Sequence, residues 1–165
     1  AAQVENREVI PAKDWSRLQL VRDAVHTNPQ ALEILTQALD FEQVKTEPIE
    51  GVPFKGIADI VGETWVADLK TTKDASPSGF SRSATNLMYH LQGAAYCALW
   101  EVPHFYWIAV ETEAPWNVQV FKQDADALAK SDQTLRNLIH RWKRWDGKPA
   151  SYTQGIENLE LPKWA

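Results

Sequence analysis

Only one cysteine, Cys97, occurs in the 165 residues. A single thiol excludes an internal disulfide framework and a cysteine-rich zinc or iron–sulfur site. No apolar run approaches the roughly 18 residues that a membrane-crossing helix needs, so no membrane partner is expected. The N-terminus lacks the basic-then-apolar pattern of a secretory signal. It opens Ala1-Ala2-Gln3 without an initiator methionine, as expected of a processed or excised piece of a longer chain. The four histidines show no H-x-x-x-H spacing, which argues against a zinc hydrolase. No Walker loop and no G-x-G-x-x-G occurs, so chemistry on a nucleotide cofactor has no support. Ser76 and Ser78 lie in no nucleophile-elbow motif.

Positive charge is also scarce. Seventeen basic residues against 22 acidic ones give a net charge of −5, which disfavours a simple DNA-coating protein. The distribution is uneven. Residues 1–50 and 51–129 each carry 5 basic and 9 acidic groups, whereas residues 130–165 carry 7 and 4. A local basic patch can coexist with an acidic total.

What remains is ordinary globular composition, with 44% apolar residues and eight tryptophans. A chain this long forms one domain and buries about two thirds of its unfolded surface. An amphipathic helix is expected over 14–25, with Trp15, Leu18, Val21 and Val25 on its inner face and Asp14 as N-cap. Asn28-Pro29 breaks it, and a second helix follows to about Leu39. Val52–Val61 and Thr64–Thr72 read as two strands of a hairpin. A long helix capped by Ser81 or Ser83 should run to about Trp100. His104–Val110 is continuously apolar, as in a strand buried on both faces. A strand at 117–121 and a helix at 123–145 complete an α/β order. Residues 148–165 read as irregular, tied down by Tyr152, Ile156, Leu161 and Trp164.

The sharpest local feature is Asp59 followed by Asp68-Leu69-Lys70. Asp68 and Lys70 are two apart on a strand and share a face. The hairpin can bring Asp59 beside Asp68. Paired carboxylates on rigid strands suit a hard cation such as Mg²⁺ or Mn²⁺, and Lys70 can orient water or steady charge on phosphate. An Asp68–Lys70 ion pair on a solvated face is the plainer alternative. Gln92 and Tyr96 are four apart on the long helix, where they can serve such a site or satisfy each other. His26 closes the first helix, as a metal-associated side chain or a C-terminal cap. Arg141-Trp142-Lys143-Arg144-Trp145 interleaves cations and rings, as nucleic-acid surfaces do, although Trp142 and Trp145 can equally face a core.

These segments together resemble a family. Lys55-Gly56-Ile57-Ala58-Asp59, Asp68-Leu69-Lys70-Thr71-Thr72-Lys73-Asp74-Ala75, Phe80 and Tyr89-His90-Leu91-Gln92-Gly93-Ala94-Ala95-Tyr96 resemble the RecE-type (exonuclease VIII) branch of the PD-(D/E)xK nucleases. Phage lambda exonuclease and the RecB nuclease domain are more distant relatives. Val25–Pro29, Glu111–Pro115, Val118–Phe121 and Leu161–Trp164 are similar to further family segments, so the resemblance spans about residues 7–164. It departs at the proline before the first Asp, where Ala58 stands, and in lacking helices that usually precede the His-containing segment.

The resemblance implies a restriction-endonuclease-like α/β core with a central mixed sheet flanked by helices, in a single domain over 1–165. It implies metal ligands at His26, Asp59, Asp68 and the Leu69 carbonyl, with Lys70 as catalytic lysine. Gln92 and Tyr96 would organise the site and touch DNA, and Glu42 would be a commonly acidic position. Arg141, Lys143 and Arg144 are the added candidates for DNA contact. The expected activity is Mg²⁺- or Mn²⁺-dependent 5′→3′ digestion of linear duplex DNA, leaving 3′ single strands for an annealing protein. A toroidal homo-oligomer in the bacterial or phage-infected cytoplasm is expected as well. A structure-selective or single-strand repair nuclease and a non-catalytic DNA-binding or scaffold module are the alternatives.

Overall fold

The computed structural model describes residues 10–147. Ten elements run α1 (Ala12–Thr27), α2 (Pro29–Thr36), β1 (Asp40–Ile49), β2 (Val52–Val61), β3 (Trp65–Thr72), α3 (Pro77–Asn86), α4 (Tyr89–Trp100), β4 (His104–Glu111), β5 (Val118–Lys122) and α5 (Ala125–Lys143). The strands form one sheet in the order β1-β2-β3-β4-β5. Only β3 and β4 pair in parallel, with Asp68 opposite Trp107 and Lys70 opposite Ala109, and the other neighbours are antiparallel. The crossover between β3 and β4 is the α3–α4 pair, since parallel neighbours need a long return. The sheet is therefore mixed and covered by helices, as the resemblance implied.

Strand alternation splits the core into two layers. Val66, Phe105, Trp107 and Ala109 point to one face, where Phe80, Ala94, Leu99, Leu135 and Ile139 from α3, α4 and α5 cover them. Trp65, Ala67, Ile108 and Val110 point to the other, beneath Val25, Ala31 and Ile34 of α1 and α2. β4 lies between both layers, which is why its sequence is apolar without alternation. No described helix is long and apolar enough to cross a membrane.

Several boundaries differ from expectation. Asp40–Ile49 is a strand, β1, where the sequence pattern suggested no regular element. It pairs with β2 at every position but Glu42, through a two-residue turn, Glu50-Gly51, with φ of 52° and 74°. Two left-handed residues match the twist of a tight hairpin. The long helix is two helices: Ser76, not Ser81 or Ser83, caps α3 by accepting the Gly79 N–H, and left-handed Met88 (φ 55°) separates it from α4. Asn28 does break the first helix, and its side chain caps α2 by accepting the Ala31 N–H at 2.9 Å. α1 starts at Ala12 with Pro11 at the cap position, and Asp14 lies in its first turn. Trp15 and Leu18, expected inside, are 53% and 48% exposed, because only the C-terminal turns of α1 reach the sheet. Tyr152, Ile156, Leu161 and Trp164 lie outside the described residues.

Candidate active site where β2 and β3 part

β2 and β3 pair at only two positions, Ile60 with Ala67 and Val61 with Val66. The next position would set Asp59 against Asp68. There the strands part, and Asp59 Oδ2 accepts the Leu69 N–H at 2.8 Å. A side chain thus takes the place of a ladder carbonyl, so the exposed N–H is not left without a partner. The ladder on the other side of β2 is interrupted too. Phe41 pairs with Ile60 and Gln43 with Ala58, but Glu42, in the left-handed region at φ 51°, does not pair with Asp59. Asp59 therefore stands at a gap in both ladders. The Leu69 N–H and C=O leave the strand on the same edge, so its carbonyl faces the same gap.

Asp68 is 3% exposed and is the anchor of the site. Gln92 Nε2, from α4, donates to its Oδ1 at 2.7 Å. Its Oδ2 lies 2.6 Å from Lys70 Nζ, a buried charge-assisted contact. Burial pushes the Asp68 carboxyl above its usual 3.8, and the neighbouring Asp59 charge adds to this, while Lys70 and Gln92 pull against them. The solvated-face alternative is thereby excluded for Asp68: it is an ion pair, but a buried one.

Lys70 is confined from the opposite side. Its ammonium lies 4.6 Å from the centroid of the Tyr89 ring, a cation–π contact. Tyr89 opens α4 immediately after left-handed Met88, so the break between α3 and α4 is what delivers this ring. Gln92 and Tyr96 do not satisfy each other. Tyr96 donates its hydroxyl to the Ile57 carbonyl at 2.8 Å, pinning α4 to β2 two residues before Asp59. Gln123 is buried against the N-terminal turns of α4, donating to the His90 carbonyl and to Ser131 Oγ. Gly93 permits that approach, for a Cβ there would lie 2.2 Å from Gln123 Oε1. Helical spacing puts Met88 or Tyr89 on the Gln92–Tyr96 face, but nothing in the sequence marks Gln123 as a support.

His26 is exposed in the last turn of α1, and among the described residues no three His, Cys, Asp or Glu side chains gather into a metal-holding group. The structure brings Asp59, Asp68 and Lys70 together. Arg141, Lys143 and Arg144 are exposed at the end of α5. Lys143 donates to the Glu50 carbonyl and Arg144 to the His140 carbonyl. Glu50 is at the β1–β2 turn, nine residues before Asp59, or roughly 25–30 Å along an extended strand. These cations flank the far end of the hairpin rather than the carboxylates. Trp142 and Trp145, for which a core face was open, are each 58% exposed.

The donor set fits a hard cation. Two carboxylates with one ammonium leave an uncompensated negative charge, and Asp68 Oδ2 is a buried oxygen held on the Lys70 side of the site. The Leu69 carbonyl adds a third oxygen on the same gap. Mg²⁺ is commonly held by one or two carboxylates plus water and substrate phosphate, so a third acidic side chain is not required.

A mixed sheet with Asp59 and Asp68-Leu69-Lys70 at the parting of two strands, backed by a helix, defines a PDDEXK-like α/β domain. The chain belongs to the family described as PDDEXK-like domain of unknown function (DUF3799), which matches residues 7–151. A crystal structure of a candidate exonuclease from Eubacterium rectale is 12% identical, with a TM-score of 0.67 over 80% of this chain. The match covers 53% of that protein, so the present chain spans about half its length. A phage-related exonuclease from Haemophilus somnus 129PT is 13% identical over 84% of this chain and 77% of its own, with a TM-score of 0.45. No curated protein matches the sequence.

Proposed function

We propose that this domain is a nuclease that hydrolyses phosphodiester bonds of linear duplex DNA from an end, with a divalent cation held by Asp59, Asp68 and the Leu69 carbonyl. The observation that supports it most directly is the buried Asp68 carboxylate, ion-paired with Lys70 and set beside Asp59 where β2 and β3 part. A bound Mg²⁺ or Mn²⁺ would supply charge neutralisation at the phosphate and a more acidic water. Gln92 fixes Asp68 through Oδ1, which turns Oδ2 towards Lys70. Lys70, held between Asp68 and the Tyr89 ring, orients the attacking water and steadies charge on the phosphate oxygens. Tyr96 keeps α4 against β2, so that the Asp68 support and the Asp59 strand move as one body.

The 5′→3′ direction, the single-strand annealing partner, the toroidal assembly and a role for His26 at the metal rest on the family resemblance. So do DNA contacts by Gln92 and Tyr96 and a cytoplasmic setting in a bacterial or phage-infected cell. The basic end of α5, with Arg141 and Arg144 exposed, supports a second zone of backbone contact. The test uses duplex DNA labelled separately at its 5′ and 3′ ends, with Mg²⁺, with Mn²⁺ and with EDTA. Expected is metal-dependent release of nucleotides from the 5′ end, reduced at least about 100-fold in Asp68→Asn, as for loss of a principal electrostatic group. Equal cleavage by Asp68→Asn, or none by the folded wild-type protein with either metal, would overturn the proposal.

A further inference from the structure

Beside the Lys70–Tyr89 contact lies a cavity of about 310 Å³ that the proposed chemistry does not use. Phe80, 2% exposed, forms its inner wall, and Tyr89 and Leu87 line it with apolar surface. Thr72, whose hydroxyl is shared with the Asp74 backbone, Thr112 and Lys73 are its polar residues. Its place along β3 is informative. Lys70 and Thr72 are two residues apart on the same strand face, so the cavity begins about 6.6 Å beyond the catalytic lysine. Tyr89 belongs to both, with Lys70 Nζ over its ring and its side chain in the cavity wall. Leu87 is 62% exposed although it is large and apolar, and it stands at the edge of this space.

We propose that this cavity is a nucleotide subsite, which takes the nucleotide adjoining the scissile phosphate. The inference rests on the nuclease reading and extends it to a substrate contact. The chemistry matches the ligand part by part. A base has two apolar faces, which Leu87 and Tyr89 accept. The sugar and flanking phosphate carry oxygens, which Thr72, Thr112 and Lys73 meet. A volume near the lower limit for ligand pockets suits one nucleotide rather than a duplex segment. The neighbouring distance suits a strand whose next phosphate lies over Asp59, Asp68 and Lys70. Recognition of this kind is tolerant of base identity, because every base offers a stacking face.

The test separates binding from cleavage. Deoxyadenosine monophosphate, deoxyadenosine and inorganic phosphate are titrated separately into the ¹⁵N-labelled protein in EDTA, and backbone amide shifts are followed. The nucleotide is expected to move the Lys73, Leu87 and Tyr89 amides, with deoxyadenosine weaker at the same place and phosphate confined to Lys73. Leu87→Ser and Lys73→Ala, both at exposed positions, should keep the wild-type melting point and weaken nucleotide binding about fivefold or more. No shifts at these amides, shifts centred elsewhere, or unchanged affinity in both folded variants would overturn the subsite. Inorganic phosphate reproducing the whole pattern would overturn it too, by reducing the site to an anion contact. Nucleotide binding here without DNA cleavage in Mn²⁺ would sink the proposed function and leave the subsite standing. Cleavage without nucleotide binding would sink the subsite alone.

Discussion

Lys70→Met isolates the electrostatic problem at the centre of the site, because methionine keeps an apolar stem beside Tyr89 and removes only the charge. Asp68 would then be a carboxylate 3% exposed, with Asp59 as its charged neighbour and a single hydrogen bond from Gln92. Breaking a buried ion pair by deleting one partner costs about 3–5 kcal/mol. The Lys70 side chain is 19% exposed, so water already screens part of the pair, and a loss of about 2 kcal/mol is the better estimate. At this chain length each kcal/mol moves the melting midpoint by about 2–4 °C. The midpoint should therefore fall by roughly 4–8 °C at pH 7 in EDTA. The pH dependence has a definite sign. The folded-state Asp68 carboxyl lies above 3.8, so the native state binds that proton more tightly than the unfolded chain. Its contribution to stability is present at low pH and is lost as pH rises through the folded value. Removing Lys70 removes a lowering influence and extends that window upward. The gap between variant and wild type should shrink as pH falls from 7. Asp68→Asn combined with Lys70→Met should abolish the pH dependence of the gap, which circular-dichroism melts of all four proteins would measure. A Lys70→Met midpoint equal to wild type at pH 7, or a gap that grows on acidification, would refute the buried-pair reasoning.

Gln92→Leu should cost about 1–3 kcal/mol in denaturant unfolding, by leaving Asp68 Oδ1 buried without its donor. Gly93→Ala should destabilise by about 1–3 kcal/mol despite alanine's better helix propensity, because its Cβ would strike Gln123 Oε1. Unchanged stability would mean that Gln123 yields freely. Cys97 is buried with its thiol pushed up to about 11, so a disulfide reagent at pH 8 should label the unfolded chain and leave the native protein unlabelled for hours. Mn²⁺ at about 100 times its dissociation constant should stabilise the wild type by about 2.7 kcal/mol in a thermal melt. The same shift in an Asp59→Asn, Asp68→Asn double variant would place the ion elsewhere.

Sequence spacing was most informative where local chemistry and global role coincide. Asp68 and Lys70 share a face because strand period is two, and no tertiary contact is needed to see it. The uninterrupted apolar run of β4 announced burial on both faces, which its central place between two helical layers explains. Gln92 and Tyr96 could be put on one helical face, but their partners could not. One reaches β3 and the other β2, and those contacts depend on how α4 crosses the parted strands.

The elements that escaped notice owe their form to partners far along the chain. β1 buries only Ile49, and its Asp, Glu, Lys and Pro residues read as loop. It is a strand because β2 supplies its ladder and because Arg136 and Lys143 of α5 hold Glu50 at the turn. The α3–α4 break carries neither glycine nor proline. Local propensity favours one continuous helix there, yet Phe80 must enter the core while Tyr89 comes beneath Lys70. Met88 absorbs that conflict in a left-handed conformation. Glu42 does the same on the opposite side, where the ladder beside Asp59 is interrupted. Two non-glycine residues with positive φ, each an expense in backbone energy, thus flank one site from different directions. A fold selected for regular pairing alone would have closed β2 against β3 and run α3 into α4. The departures from regularity leave a carboxylate pair open at a strand gap and a lysine held in place beside it.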